Sequence, residues 1–220
     1  MLEVSSKDNL LCLIENFSNE VKKNYELNRY NEVYRNDKLI TDFEQYCIDY
    51  FLELLGSAPH ILDLGCGAAK TYDKYIVKCG CNLTGVDFSE KQISLARKNC
   101  PKGKFLCMDM LQYNFSDKFD GVVMFYSLFH IYRDYHSLIL KRIYNSLYAK
   151  GKVLLNIRKK DSGNIKEKKD FCGFPMYWSN FSSSHFFDLA RKVGFEVCVL
   201  GDEKEYGSKE SHLWVILSKH

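Results

Sequence analysis

Asp63, Gly65 and Gly67 fall within eight residues, Asp63-Leu64-Gly65-Cys66-Gly67-Ala68-Ala69-Lys70, directly after an apolar run. Glycines at such a turn let a ligand approach the backbone closely. An acid two residues before the first glycine can hold an ammonium, directly or through water. Asp87 follows 20 residues after Gly67. A carboxylate at that distance can accept both hydroxyls of a ribose. Asp109 ends a third apolar run and could accept from an amino group on an aromatic base.

These residues need strands and helices to bring them together. Short apolar runs at 60–65, 82–88, 104–110, 119–126 and 152–157 read as strands, and the near-continuous run Val122-Val123-Met124-Phe125-Tyr126 fits burial on both faces. Helical spacing appears between them. Ser89 with Gln92 three residues later resembles a capping box, and 135–148 carries Leu138, Ile139, Ile143 and Leu147 on one face. Lys150-Gly151 marks the stop of that helix. Alternating strands and helices predict a parallel sheet covered on both sides. The C-terminus breaks the alternation: a helix over 184–193, then strands over 194–200 and 211–218 joined by a polar loop, which should pair antiparallel as a hairpin. Residues 9–19 and 41–55 look helical. His136 and His185 read as helix-surface residues.

Composition narrows the function classes. The chain has 220 residues, enough for one domain of ordinary size. Its 46% hydrophobic and 27% charged residues indicate a globular protein. A net charge of +3 gives no basic stripe for nucleic acid. The basic run Arg158 to Lys169 also holds Asp161 and Glu167 and reads as a solvated loop. Nine cysteines without a Cys-x-x-Cys pair point to a reducing compartment and no zinc site, so a cytoplasmic location is expected. No apolar run reaches membrane-spanning length.

Two cofactor classes use a glycine turn followed by a distant acid. A dinucleotide site wants Gly-x-Gly-x-x-Gly, and Lys70 occupies the position of the third glycine. A second substrate domain is not expected from these 220 residues either. Asp63 two residues before Gly65 suits instead the amino-acid tail of S-adenosylmethionine (AdoMet).

Through ILDLGCG (61–67), LTGVDFSEKQISLARKN (83–99), FLCMDM (105–110), FDGVVMFYSLFHIYR (119–133), GFPMYWSNF (173–181), GFEV (194–197) and HLWVIL (212–217), the chain resembles the class I, Rossmann-like AdoMet-dependent methyltransferases of small-molecule type. The resemblance implies an α/β fold with a seven-stranded mixed sheet, last strand antiparallel, and helices on both faces. It implies one domain, divided into an N-terminal helical lid (1–57), an AdoMet-binding core (58–157), a lid insert (158–182) and a C-terminal helix with β-hairpin (183–220). Gly65 and Gly67 would pass under the cofactor, Asp63 would lie near its ammonium, and Asp87 would bind ribose. Phe88 would flank adenine, Asp109 and Met110 would sit at the adenine edge, and Phe125 near the methionine part. Tyr30 matches a lid tyrosine. Three positions depart from the pattern: Ala69 replaces a third glycine, Met108 stands where glycine is common, and Asn180 where histidine is common.

The loop after the fourth strand faces the methyl group in this fold. His130 there could take a proton from an acceptor near neutral pH, and Tyr126 could line the acceptor pocket. Tyr177 and Trp178, in the insert, could enclose the acceptor, and His212 could reach the pocket from the last strand. The expectation is methyl transfer from AdoMet to an O, N or S nucleophile of a small molecule, with S-adenosylhomocysteine as the product, no metal, and a monomer or homodimer. The alternatives are a macromolecular acceptor, protein or RNA, and a non-catalytic AdoMet sensor or partner protein.

Overall fold

The computed structural model describes residues 6–27, 39–171, 173–208 and 211–220, with side chains from residue 12. Six helices and nine strands follow in chain order: α1 (Ser6–Glu26), α2 (Asp42–Leu55), β1 (His60–Leu64), α3 (Tyr72–Lys78), β2 (Asn82–Asp87), α4 (Glu90–Asn99), β3 (Lys104–Cys107), β4 (Phe119–Met124), α5 (His136–Ser146), β5 (Leu147–Arg158), β6 (Lys166–Phe171), β7 (Phe174–Trp178), α6 (Ser183–Val193), β8 (Glu196–Asp202) and β9 (His212–Ser218).

Seven strands form one sheet in the order β3-β2-β1-β4-β5-β9-β8. β1 pairs parallel with both β2 and β4, and β9 runs antiparallel between β5 and β8. The predicted seven-stranded mixed sheet with its terminal antiparallel strand is therefore present. The chain winds outward from β1 to β3, then crosses back to β4 on the other side of β1. Such a reversal opens a crevice at the carboxyl ends of the central strands.

Alternation along each strand sends side chains to two separate cores. Leu62, Leu64, Val122 and Met124 pack with α5 and α6. Ile61, Leu83, Val123 and Phe125 pack with α2, α3 and α4. Asp63 and Asp87 share the second face by parity with Ile61 and Leu83. Both acids therefore sit at core positions, 2% and 8% exposed.

Several local expectations are corrected. The basic run is partly a strand: β6 pairs antiparallel with β7 as a two-stranded ribbon of its own, so the insert is built rather than loop. His136 is buried at the start of α5, with Nε2 3.3 Å from the Ile131 carbonyl. It is not a surface residue. β3 ends at Cys107, which places Asp109 and Met110 in the following turn. Ser89 does cap α4, accepting from Gln92 N–H. The return half of the box is replaced: Ser89 N–H donates to Asp87 Oδ1, while Gln92 Nε2 donates to the Tyr25 carbonyl of α1. A complete box stands at Thr41 and Glu44, starting α2.

Candidate functional site

β1 ends at Leu64, and the chain turns under the edge of β2. Gly65 N–H and Cys66 N–H both donate to the Val86 carbonyl, at 2.8 and 3.2 Å. Gly65 has φ +89°, and a Cβ there would lie 2.4 Å from Ser127 Cβ. Only glycine fits. Gly67, at φ +54°, would meet nothing closer than Gln92 Oε1 at 3.8 Å. Its requirement is conformational, and the space above it is open. Ala69 also has positive φ, +49°. The alanine at the third-glycine position therefore holds the conformation glycine would, at a cost of about 1 kcal/mol.

Asp87 closes the turn. Its Oδ2 accepts from Gly67 N–H and its Oδ1 from Ser89 N–H, both at 2.9 Å. Burial raises its pKa to about 6 against the lowering effect of those two amides. Each oxygen retains capacity for a further donor.

The turn floors a cavity of about 490 Å³, within the size range of ligand pockets. Asp63, Gly65, Gly67, Asp87, Phe88, Asp109, Met110, Phe125, Tyr126 and His130 all border it. Ten sequence-predicted residues are thus brought to one place. Asp109 contributes from an Asx turn in which Oδ1 accepts from Leu111 N–H at 2.8 Å. Tyr30 lies outside the described residues.

α1 forms the opposite wall with Ser18, Asn19, Val21, Lys22 and Tyr25. It is tied at both sides. Glu26 Oε1 accepts from Glu90 N–H at 2.9 Å, and Asn24 donates to the Pro175 carbonyl of β7. Tyr25 packs edge-on against both Phe88 and His130.

His130 has a defined tautomer. Nδ1 lies 3.1 Å from the Tyr177 carbonyl, which can only accept, so Nδ1 carries the proton. Nε2 then presents a lone pair to Tyr25 Oη, at 3.0 Å. Burial lowers the pKa to about 4, so the ring is neutral.

Tyr126 is a bulky residue at φ +55°. Its N–H donates to Asn156 Oδ1 at 2.6 Å, and its hydroxyl reaches Glu203 Oε2 at 2.6 Å and Glu44 Oε1 at 3.1 Å. His212 Nδ1 meets Glu203 Oε1 at 2.6 Å. Burial, first, and the neighbouring acids push the Tyr126 phenol well up, so it acts as a donor.

Tyr177, Trp178 and His212 do not border the cavity. Tyr177 orients His130 through its carbonyl. Trp178 stacks under the Arg158 guanidinium, 5.3 Å from the ring centroid. His212 supports Tyr126 from behind, ring centroids 5.1 Å apart. Asn180 is structural: Nδ2 donates to the Lys160 and Phe181 carbonyls at 2.8 and 2.9 Å.

Sequence reasoning missed Tyr25, Tyr72, Asp73, Glu44 and Glu203. Asp73 in the first turn of α3 carried a signal, being an acid next to Tyr72 and six residues after Gly67. The glutamates carried none, since only the fold brings α2 and the β8–β9 connection to Tyr126.

Residues 61–151 match the family model described as a methyltransferase domain. Among curated relatives, the chain is 33% identical over 92 residues to "Putative methyltransferase 235L" of Invertebrate iridescent virus 6, covering 40% of this chain and 34% of that one. It is 27% identical over 138 residues to carboxy-S-adenosyl-L-methionine synthase of Helicobacter pylori (strain G27), covering 60% and 57%. The chain thus spans about a third of the first relative and just over half of the second. Among solved structures, magnesium protoporphyrin IX methyltransferase from Synechocystis PCC 6803 with bound SAM superposes at a TM-score of 0.67 with 14% identity, covering 93% of this chain and 97% of that one. Residues 61–151 thus match a methyltransferase domain, and the chain shares its overall fold with the solved methyltransferase structure.

Proposed function

We propose that the protein transfers a methyl group from AdoMet to an O, N or S nucleophile of a small-molecule acceptor. The observation that carries this reading is the single cavity that joins the glycine turn and Asp87 to the neutral, oriented His130. The residues fit the cofactor. Gly67 leaves open space, Asp87 keeps acceptor capacity beside it, and Asp63 is a buried acid with an undonated oxygen.

When bound, the cofactor supplies an already activated methyl group. The protein's part is then mainly placement and exclusion of water. Gly65 and Gly67 admit the ligand to the backbone. Asp87 accepts from ribose hydroxyls, Phe88 flanks the adenine, and Asp109 and Met110 border its edge. Phe125 lies against the methionine part. His130 Nε2 receives the acceptor's proton once Tyr25 yields that position. Tyr126 lines the acceptor end, backed by His212. Tyr177 and Trp178 shape that end from the ribbon behind it. A small acceptor is favoured because α1, held against β7 and α4, walls the cavity, and because the similar Synechocystis structure is of an enzyme named for a porphyrin substrate.

Calorimetric titration with AdoMet, S-adenosylhomocysteine and NAD tests the cofactor assignment. Saturable micromolar binding of the first two and none of NAD is expected. Acceptors are then screened by S-adenosylhomocysteine formation. Absence of AdoMet binding, or preference for NAD, removes the proposal.

A further inference from the structure

Asp73 has no role in the mechanism above, yet it borders the same cavity and is only 3% exposed. It lies in the first turn of α3, against Asp63 at 2% exposure. The two carboxyl groups lie close enough to act on one another. Carboxylates offer only acceptors, so a buried pair this close favours one of them holding a proton. The unpartnered atoms agree: Asp63 Oδ1 and Asp73 Oδ1 receive no donor from any other group among the described residues. One shared proton satisfies both.

The charged groups that act on the pair are acids. From β2, Asp87 adds a third acid to the pair. The turn contributes the buried Cys66 thiol, itself pushed well up by burial and by these acids. Glu44 of α2 binds the hydroxyl of Tyr72, next to Asp73, at 2.7 Å. The Tyr126 phenol at the end of β4 also borders the cavity, as does Gln92 of α4. Lys70 and Lys74, the lysines nearest in sequence, are exposed. Burial raises both carboxyls of the pair, Asp73 to about 7.

We propose that Asp63 and Asp73 share one proton in the ligand-free protein and together receive the ammonium of the cofactor's amino-acid tail, which displaces that proton to solvent. The inference rests on the cofactor reading above and adds Asp73 as a binding residue. The charges balance. The pair passes from one negative charge to two, the ammonium brings one positive charge, and one proton leaves. An ammonium has three donors and can serve both acids at once. Affinity for the tail therefore rises with pH for as long as the free pair still holds a proton.

Titration of the wild-type protein with S-adenosylhomocysteine in buffers of different ionisation heat counts the protons. Release of protons is expected near pH 6, where the free pair is protonated, and should shrink as pH rises. Affinity should weaken by up to about tenfold per pH unit below 7. Methylthioadenosine, which keeps the nucleoside and lacks the amino-acid tail, reports any proton from Asp87, so the difference between the two ligands isolates the pair. Asp73→Asn should abolish that difference. Equal proton counts for the two ligands at every pH overturn the proposal while leaving the cofactor reading intact. Failure of S-adenosylhomocysteine to bind removes both. The wild-type comparison stands even if Asp73→Asn does not fold.

Discussion

The two ends of the cavity are built on opposite principles. Around the glycine turn, three buried acids crowd together. Asp63 and Asp73 each leave an oxygen undonated, and burial raises all three. Around Tyr126 and His130, the acids are matched by donors, although Asn156 Nδ2 has no partner among the described residues. Glu203 takes the Tyr126 hydroxyl on one oxygen and His212 on the other, and burial is outweighed so that its pKa is lowered. His130 is engaged at both nitrogens. The first end gathers acids around a shared proton. The second balances its acids with its own donors. Unmatched buried charge marks where a ligand contributes chemistry, and matched charge marks where the protein holds its own geometry.

Four substitutions break or sharpen that contrast. His130→Ala should lower turnover with an authentic acceptor by about 10²–10⁴-fold, with S-adenosylhomocysteine affinity unchanged; full-rate transfer by the variant would sink its role as a base. Gly65→Ala places a methyl against Ser127 at 2.4 Å and strains a φ of +89°. Denaturant unfolding should show a loss of about 3 kcal/mol.

The third contrast is one of pH. Asp73 and Asp87 titrate higher in the fold, at about 7 and 6, than in the unfolded chain. Their contribution is fully present below about pH 4 and is lost as pH rises through 6–7. His130 and His136 are held near 4 by burial. Stability from that source falls as pH drops from about 6.5 towards 4. Asp73→Asn removes a member of the first group only. The ligand-free variant should exceed wild type by on the order of 2 kcal/mol at pH 8 and lose that advantage by pH 4. Urea midpoints at the two pH values measure it, and an equal gain at both contradicts the shared-proton account. The smallest effect is expected from Tyr126→Phe. Removing a donor from Glu203 and Glu44 should cost about 1–2 kcal/mol, with cofactor affinity intact.

The same contrast explains what could be read from the sequence. The turn at 63–70, Asp87 and Asp109 follow from strand order alone, because each acid ends or follows a strand and parallel strands share a carboxyl edge. Their spacing along the chain maps directly onto the cavity. The acceptor end has no such register. Tyr25 comes from α1, Glu44 from α2, Tyr126 from the β4 loop, Glu203 and His212 from the C-terminal hairpin, and Tyr177 from the ribbon. No periodicity links them, so Glu44 and Glu203 were invisible, and Tyr177, Trp178 and His212 were expected in the wall rather than behind it. His136 misled for a local reason. A histidine at a helix start looks solvated, but here the preceding turn folds over it and its Ile131 carbonyl comes within hydrogen-bonding range. The ribbon was missed because the alternation of Lys166, Glu167, Lys168 and Lys169 has no apolar face.

The bonds that tie down α1 bear on the timing of turnover. Ligand exchange past this helix must release Glu26 from Glu90, Asn24 from Pro175, Gln92 from the Tyr25 carbonyl, and Tyr25 from His130. At about 1 kcal/mol each, their joint release slows opening by orders of magnitude, so the dwell time of product is set by the helix rather than by diffusion. Opening also uncovers His130, which gives a proton captured in the closed state its path to solvent in the same movement that frees the product.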